Sequence, residues 1–78
     1  MICVEVIVFI NKVGKLQPLY MFVENNKRRK YKIERILEVK KYYSEVGGCG
    51  LLYKCMIDDR ERHLFYERNR WFIENHEF

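Results

Sequence analysis

Apolar side chains recur at every second residue along most of this chain, and this alternation restricts the possible folds more than any other feature. Successive residues of a β-strand point to opposite faces, whereas a helix repeats its faces about every 3.6 residues. In the segment ICVEVIVFI, residues 2–10, one face collects the β-branched positions Ile2, Val4, Val6, Val8 and Ile10. The other face carries Ile7 and Phe9. We therefore expect a strand with apolar contacts on both faces.

Residues typical of turns divide the alternating pattern into short segments. The predicted turns are 11–14, 24–27, 44–50, 59–61 and 68–69. The predicted strands are 2–10, 19–24, 28–43 with a bend, 51–58, 63–67 and 70–74. The sequence thus predicts an all-β fold, a small six-stranded SH3-like barrel formed by one domain, residues 1–78. A closed or nearly closed barrel is favoured because it leaves no edge strand open to aggregation.

The stretch from residue 32 to residue 45 admits a second interpretation. Ile36 breaks the alternation, and with Ile33 and Leu37 it also fits a helical stripe. An α+β fold with residues 32–45 helical is therefore the alternative. The content of Tyr and β-branched residues favours a strand, and no N-cap residue precedes Ile33. In a strand, Ile36 would mark a β-bulge that bends the chain.

The cysteine content indicates where a chain of this kind resides. Cys3, Cys49 and Cys55 are odd in number and lack the spacing of a disulfide framework. We expect reduced thiols and a cytoplasmic location. The N-terminal segment resembles a signal peptide only superficially, because Glu5 interrupts its apolar run and no small-residue cleavage site follows. The run is also shorter than the roughly 20 residues that span a bilayer, and we expect no membrane partner.

The cations of the chain are concentrated in one segment, KRRKYKIERILEVKK, residues 27–41. This segment holds eight Lys and Arg residues against Glu34 and Glu38, a net charge of +6. Because the whole chain carries +4, the remaining residues sum to −2. Residues 27–32 form a predicted hairpin tip, whereas the apolar residues from Ile33 onward are expected to join the core. Only the tip is therefore a candidate for binding.

A basic hairpin tip is typical of a phosphate-binding surface, since clustered Lys and Arg gain affinity from released counterions. The candidate polyanion-binding residues are Lys27, Arg28, Arg29, Lys30 and Lys32. Unpaired bases stack on exposed aromatic rings. The candidate stacking residues are Tyr20, Tyr31, Tyr42 and Tyr43. Two alternatives stay open: a solvated tip whose charges discourage edge-to-edge aggregation, and a surface for an acidic protein partner.

The sequence predicts neither catalysis nor metal binding. Cys49 and His63 are a nucleophile and a base in type, but no further acid and no protease signature accompany them. A zinc site would need to combine these two residues with Cys55 and His76, and their spacing differs from that of structural zinc ligands. Cys55 and Trp71 are expected in the core. We predict no catalytic residue, no metal ligand and no cofactor, and hence a non-enzymatic binding module.

Self-association or docking on a larger protein is the second functional hypothesis. Large exposed apolar patches usually mark contact surfaces. Exposed aromatic rings at Phe9, Phe65 and Tyr66 would serve such a contact. On this hypothesis the chain is a small protein-interaction subunit with no nucleic-acid contact.

Four segments, taken in order, carry a resemblance to a known group of proteins. They are GKLQPL at 14–19, YKI at 31–33, GLLYK at 50–54 and RWFIE at 70–74. Their arrangement resembles that of small, functionally uncharacterised all-β proteins of Gram-positive bacteria, which are similar to a compact SH3-like barrel. The resemblance spans nearly the whole chain and implies the barrel fold. It implies no functional residue.

Overall fold

A computed structural model describes residues 1–25, 27–43 and 48–75 of the chain. Their seven strands are β1 Ile2–Ile10, β2 Leu16–Asn25, β3 Lys27–Lys32, β4 Arg35–Tyr43, β5 Cys49–Ile57, β6 Arg60–Glu67 and β7 Arg70–Ile73. These residues contain no helix, and therefore none long and apolar enough to cross a membrane. The predicted all-β class is confirmed.

The strands form one antiparallel sheet in the order β3-β2-β1-β7-β6-β5-β4, and the sheet curls into a half-barrel. β1 divides its pairing between two neighbours: residues 2–4 pair with β7, and residues 5–10 pair with β2. β3 and β4 are the two edge strands. Seven strands thus replace the six predicted, and two edges remain where a nearly closed barrel was expected.

The additional strand arises because the predicted bent strand divides in two. The amide of Ile33 donates to the carbonyl oxygen of Leu19 in β2 at 2.9 Å. The next amide, that of Glu34, donates to the carbonyl oxygen of Met56 in β5, also at 2.9 Å. Consecutive residues therefore bond to opposite ends of the sheet, and the chain crosses from one edge to the other.

β4 contains the predicted β-bulge. Its register against β5 shifts between Ile36 and Glu38, with Leu37 as the additional residue. The helical alternative for residues 32–45 is therefore wrong wherever the structure describes that range. Residues 26 and 44–47 lie outside the described part of the chain. The turns predicted at 24–27 and 44–50 fall there only in part, because residues 24, 25 and 27 belong to β2 and β3 and β5 begins at Cys49.

The apolar core fills the inner face of the half-barrel. Its buried residues are Val4, Met21, Val23, Ile33, Tyr53, Cys55, Ile57, Leu64, Trp71 and Ile73. The ring of Trp71 lies against those of Tyr53 and Tyr66, with centroids 5.2 and 4.6 Å apart. Burial of Cys55 and Trp71 confirms their predicted place in the core. Large rings remove much apolar surface per ordered residue, which a domain of this size needs.

Two-residue turns close the hairpins on either side of β6. Asp58 and Asp59 have φ angles of 54° and 61°, and Arg68 and Asn69 have φ angles of 53° and 63°. Positive φ at both central residues is typical of type I′ turns, whose twist matches that of antiparallel strands. The predicted turn at 68–69 is confirmed. The turn predicted at 59–61 begins one residue earlier and is shorter.

Candidate polyanion-binding face

The register between β2 and β3 decides which cations of β3 lie together. β3 pairs antiparallel with β2, and Phe22 lies opposite Lys30. Tyr31 packs against the core and therefore occupies the inner face. Because side chains alternate along a strand, Arg28, Lys30 and Lys32 project from the opposite, outer face.

The five predicted polyanion-binding residues are therefore divided between the two faces of the sheet. Arg28, Lys30 and Lys32 lie on the outer face, whereas Lys27 and Arg29 lie at the inner rim, and all five are exposed. A ligand on the outer face meets three of these cations directly. The candidate site is accordingly the outer face of β1–β3.

Two of the three outer cations lie over aromatic rings of β2. Lys30 Nζ is 4.3 Å from the ring centroid of Tyr20, and Arg28 Cζ is 4.7 Å from that of Phe22. Each such contact contributes about 0.5–1 kcal/mol at an exposed site. A stacked base contributes about 1–3 kcal/mol. Stacking a base on the Tyr20 ring therefore contributes more free energy than is lost when Lys30 moves off that ring. The ammonium group of Lys30 is then available to a phosphate.

Two carboxylates hold Arg28 in place. Arg28 Nη1 lies 2.8 Å from Oε1 of Glu5 in β1 and 3.3 Å from Oε1 of Glu24 in β2. The hydrogen bond with Glu5 is the main cause that raises the pKa of the Arg28 guanidinium above its usual range. Arg28 is charged at all relevant pH values, so the consequence is electrostatic. Glu5 and Glu24 offset much of the positive potential at this end of the face.

Lys30 and Lys32 are the cations best placed to contact a phosphate. Both are exposed, and neither forms an ion pair within the described residues. The face also carries Arg28 and the carboxylates of Glu5 and Glu24. Its three cations and two carboxylates give a net charge of +1. The positive potential is therefore strongest at the Lys30 and Lys32 end.

Of the four predicted stacking tyrosines, Tyr20 alone lies beside these cations. Tyr31 packs against the core from the inner face. Tyr42 and Tyr43 belong to β4, the edge strand at the other end of the sheet, where Tyr43 is 78% exposed. The structure thus brings together Tyr20 and Lys30 and does not bring the other three tyrosines to the same face.

Tyr42 has partners within the sheet instead. Its hydroxyl donates to Glu67 Oε2 at 2.9 Å, and its ring meets that of Phe65 edge-on, with centroids 5.1 Å apart. Burial, and then the Glu67 carboxylate, raise the pKa of Tyr42 to about 12. Both contacts hold Tyr42 on the outer face of β4–β7, away from the candidate site.

Sequence reasoning missed Phe22 and Glu5, because only the strand register brings them to the cations. A four-residue turn at 24–27 leaves two registers open, and a slip of one residue moves every side chain to the other face. Apolar pairing does not select the register either. The observed pair Met21–Tyr31 and the pair Phe22–Tyr31, which a slip of one residue would create, are equally apolar.

The residues considered for catalysis or zinc binding are not gathered into a site. Cys49 is exposed, Cys55 is fully buried, and His63 Nε2 lies 3.7 Å from Oε2 of Glu61. His76 lies outside the described residues. In the described part of the chain, no group of three His, Cys, Asp or Glu residues is arranged to hold a metal ion.

The fold and the face together define an all-β half-barrel with a basic, aromatic outer surface at one edge. No protein-family model matches the sequence, and no curated protein or solved structure is significantly similar to it. The resemblance to small SH3-like barrel proteins of Gram-positive bacteria therefore stays a prediction. Function must be inferred from the face itself.

Proposed function

We propose that this chain is a small, non-enzymatic module that binds nucleic acid, or another polyanion, through the outer face of β1–β3. One observation carries the proposal. Lys30 and Lys32 project from one exposed face beside the Tyr20 ring, and no carboxylate of the described residues pairs with either. Cations next to a flat aromatic surface match a ligand that contains both phosphates and bases.

In this function Lys30 and Lys32 contact phosphates, and Tyr20 offers a stacking surface. Neutralised phosphates release condensed counterions, so the affinity falls as the salt concentration rises. Lys27 and Arg29, at the inner rim, add to long-range attraction without sharing the contact surface. The free cysteines, with Cys3 and Cys49 exposed, support a reducing, cytoplasmic location.

Fluorescence anisotropy with a labelled oligodeoxynucleotide of mixed sequence, measured over a series of salt concentrations, tests the proposal. The double substitution Lys30→Ala/Lys32→Ala should lower the affinity about tenfold at low salt. It should also reduce the slope of log affinity against log salt by about 1.5, since each lost phosphate contact contributes about 0.7–0.9. The matched control is Lys40→Ala/Lys41→Ala, which removes the same charge from β4.

Two results would contradict this function. The first is the absence of any binding by the unmodified protein at low salt. The second is an equal loss of affinity in both double variants, which would mean that net charge alone, and not the outer face of β1–β3, determines binding.

A separate observation favours self-association along β4 as a second candidate function. β4 is a nine-residue edge strand, and its Leu37 and Val39 are 41% and 40% exposed. An edge strand with exposed apolar side chains is a template for pairing with another chain. Of the aromatic residues predicted for such a contact, Phe9 is exposed, whereas Phe65 is buried and Tyr66 packs against the core.

Sedimentation velocity over a wide range of protein concentrations tests this second candidate. Val39→Lys should shift a concentration-dependent dimer to the monomer, because it places a charge at the centre of the edge. A monomer at every concentration would rule this function out. Lys27→Ala, on the other edge strand, is the control and should leave the dimer intact.

A further inference from the structure

A cleft of about 570 Å³ is lined on one side by Phe9 and Gln17 of the outer face and on the other by residues of the inner face, among them Leu16 and Ile36. It lies between the β1–β2 hairpin and the start of β4, where β2 extends past the last residue of β3. Tyr53 is among its lining residues, and its hydroxyl donates to the carbonyl oxygen of Leu16 at 3.3 Å. That bond ties β5 to β2 across the open side of the half-barrel. A concave site of this volume is within the usual range for small ligands, about 300–1,000 Å³.

Phe9 differs from the other outer rings of β1–β3. It lines the cleft, lies opposite Gln17 on the outer face and is 54% exposed. Tyr20 and Phe22 each lie under a cation, whereas Phe9 has no cation or aromatic ring against it within the described residues. A base can therefore stack on Phe9 without displacing another group.

Cations flank the cleft on both sides. Lys15 comes from the β1–β2 hairpin and Arg35 from the start of β4. The hairpin side is held in place, because Asn11 Oδ1 accepts hydrogen bonds from the amides of Val13 and Lys15 at 3.0 and 2.9 Å. A rim fixed in this way loses little conformational entropy on binding.

Arg35, which lines the cleft, lies close in the chain to Lys32, the last cation of the outer face. Arg35 follows Lys32 by three residues, so their Cα atoms are at most about 11 Å apart. Gln17 and Glu34 line the cleft as well and supply a side-chain amide and a carboxylate. These groups suit the donors and acceptors along the edge of a base. One strand of nucleic acid could thus contact Lys32 and enter the cleft.

We infer that the cleft receives an unpaired base of a single-stranded nucleic acid, stacked on Phe9, while Lys15 and Arg35 contact the adjoining phosphates. This inference rests on the proposed function and narrows its ligand class from polyanions to single strands. In a duplex the bases stay stacked inside the helix, so only its phosphates contact the protein, through the cations. A concave site with an exposed ring therefore distinguishes single strands from duplexes.

The test compares a labelled single-stranded oligodeoxynucleotide with a duplex of the same sequence. Phe9→Ala should weaken single-strand binding about tenfold, in line with alanine substitutions at stacking residues, and leave duplex binding unchanged. Phe9→Trp should retain the affinity, and its fluorescence should be quenched on binding. Tyr43→Ala removes an exposed ring at the opposite edge and is the matched control.

The outcomes separate this inference from the function on which it rests. If Phe9→Ala has no effect while Lys30→Ala/Lys32→Ala weakens binding, the cleft assignment is wrong and polyanion binding stands. If the unmodified protein binds the duplex as tightly as the single strand, the inference that its ligand is single-stranded is wrong. If it binds neither at low salt, both proposals fail. Circular dichroism of Phe9→Ala and Phe9→Leu confirms that the fold is retained.

Discussion

The outer surface of the sheet has two halves that use aromatic rings in opposite ways. Over β4–β7, rings pack against other side chains: Tyr42 meets Phe65 edge-on, and Phe65 is only 8% exposed. Over β1–β3, two rings lie beneath cations and Phe9 lies open to solvent. Both halves belong to the same antiparallel sheet, so the difference comes from the neighbours that each ring receives.

The position of a ring in the strand order decides its neighbours. Phe65 lies in β6, between two strands, with Leu52 opposite it on one side and Phe72 on the other. Tyr20 and Phe22 lie in β2, next to an edge strand that supplies Lys and Arg side chains. We therefore expect the outer face of β4–β7 to contribute to stability and the outer face of β1–β3 to contribute to binding.

The largest expected effect is the loss of the Phe65 ring. Phe65→Ala should lower the free energy of unfolding by about 3 kcal/mol, the lower end of the range for a buried Phe. Phe22→Ala should cost about 1 kcal/mol, because that ring is half-buried and its contact with Arg28 is a modest one. Urea unfolding followed by circular dichroism measures both.

A total stability of about 3–5 kcal/mol is usual for so small a core, so Phe65→Ala can leave the chain largely unfolded. Phe65→Leu then provides the comparison, with an expected cost of about 1 kcal/mol. Oligonucleotide affinity should be unchanged in folded Phe65→Leu. Equal destabilisation by Phe65→Ala and Phe22→Ala would remove the distinction between the two halves.

A smaller effect is expected from the hydroxyl of Tyr42. Tyr42→Phe removes the hydrogen bond to Glu67 and should cost about 1 kcal/mol near neutral pH. The folded protein raises the pKa of Tyr42 from 10.0 to about 12, so the unfolded chain loses this proton first. The stabilisation is therefore complete below pH 10 and is lost as the pH rises through 12.

The difference in unfolding free energy between the unmodified protein and Tyr42→Phe should therefore shrink as the pH rises above 10. Tyr43→Phe is the control, since Tyr43 is 78% exposed and has no such acceptor among the described contacts. A difference that stays constant across this pH range would show that folding does not raise the pKa of Tyr42.

The fold class could be predicted from the sequence because alternation is a local property. The bounds of β1, residues 2–10, and a bulge next to Ile36 follow from the side-chain pattern alone. The crossing at Ile33 and Glu34 could not be predicted, because nothing local distinguishes a bent strand from two strands that bond to opposite ends of a sheet. That choice is made by the carbonyl groups of distant strands.

The cations of the candidate site could be predicted from the sequence, but the face of the sheet on which each one lies could not. The charge of residues 27–32 is visible in the sequence, but whether Lys30 meets Tyr20 or Met21 depends on a one-residue difference in register. The role of Tyr42 depended on Phe65 and Glu67, which lie more than twenty residues away in sequence. Proximity in sequence therefore does not identify the rings that lie beside the cations, because the neighbouring strands determine them.

The smallest expected effect concerns Glu5, which holds Arg28 on the outer face of β1–β3. Glu5→Gln removes the closer of the two carboxylates from Arg28 and leaves Glu24 at 3.3 Å. The positive potential of the face rises by one charge, so we expect the affinity for single-stranded oligonucleotide to increase about threefold at low salt. The stability should be nearly unchanged, because exposed ion pairs contribute little.

Glu38→Gln is the matched control for Glu5→Gln, since it makes the same charge change beside Lys54, 3.5 Å away, on the outer face of β4–β7. The two variants have equal net charge and differ only in which half of the outer surface becomes more positive. If only Glu5→Gln binds more tightly, and the gain disappears at high salt, Arg28 acts on the ligand through this face. Equal gains in the two variants would instead assign the attraction to net charge, and the division of the surface into a packed half and a binding half would lose its functional meaning.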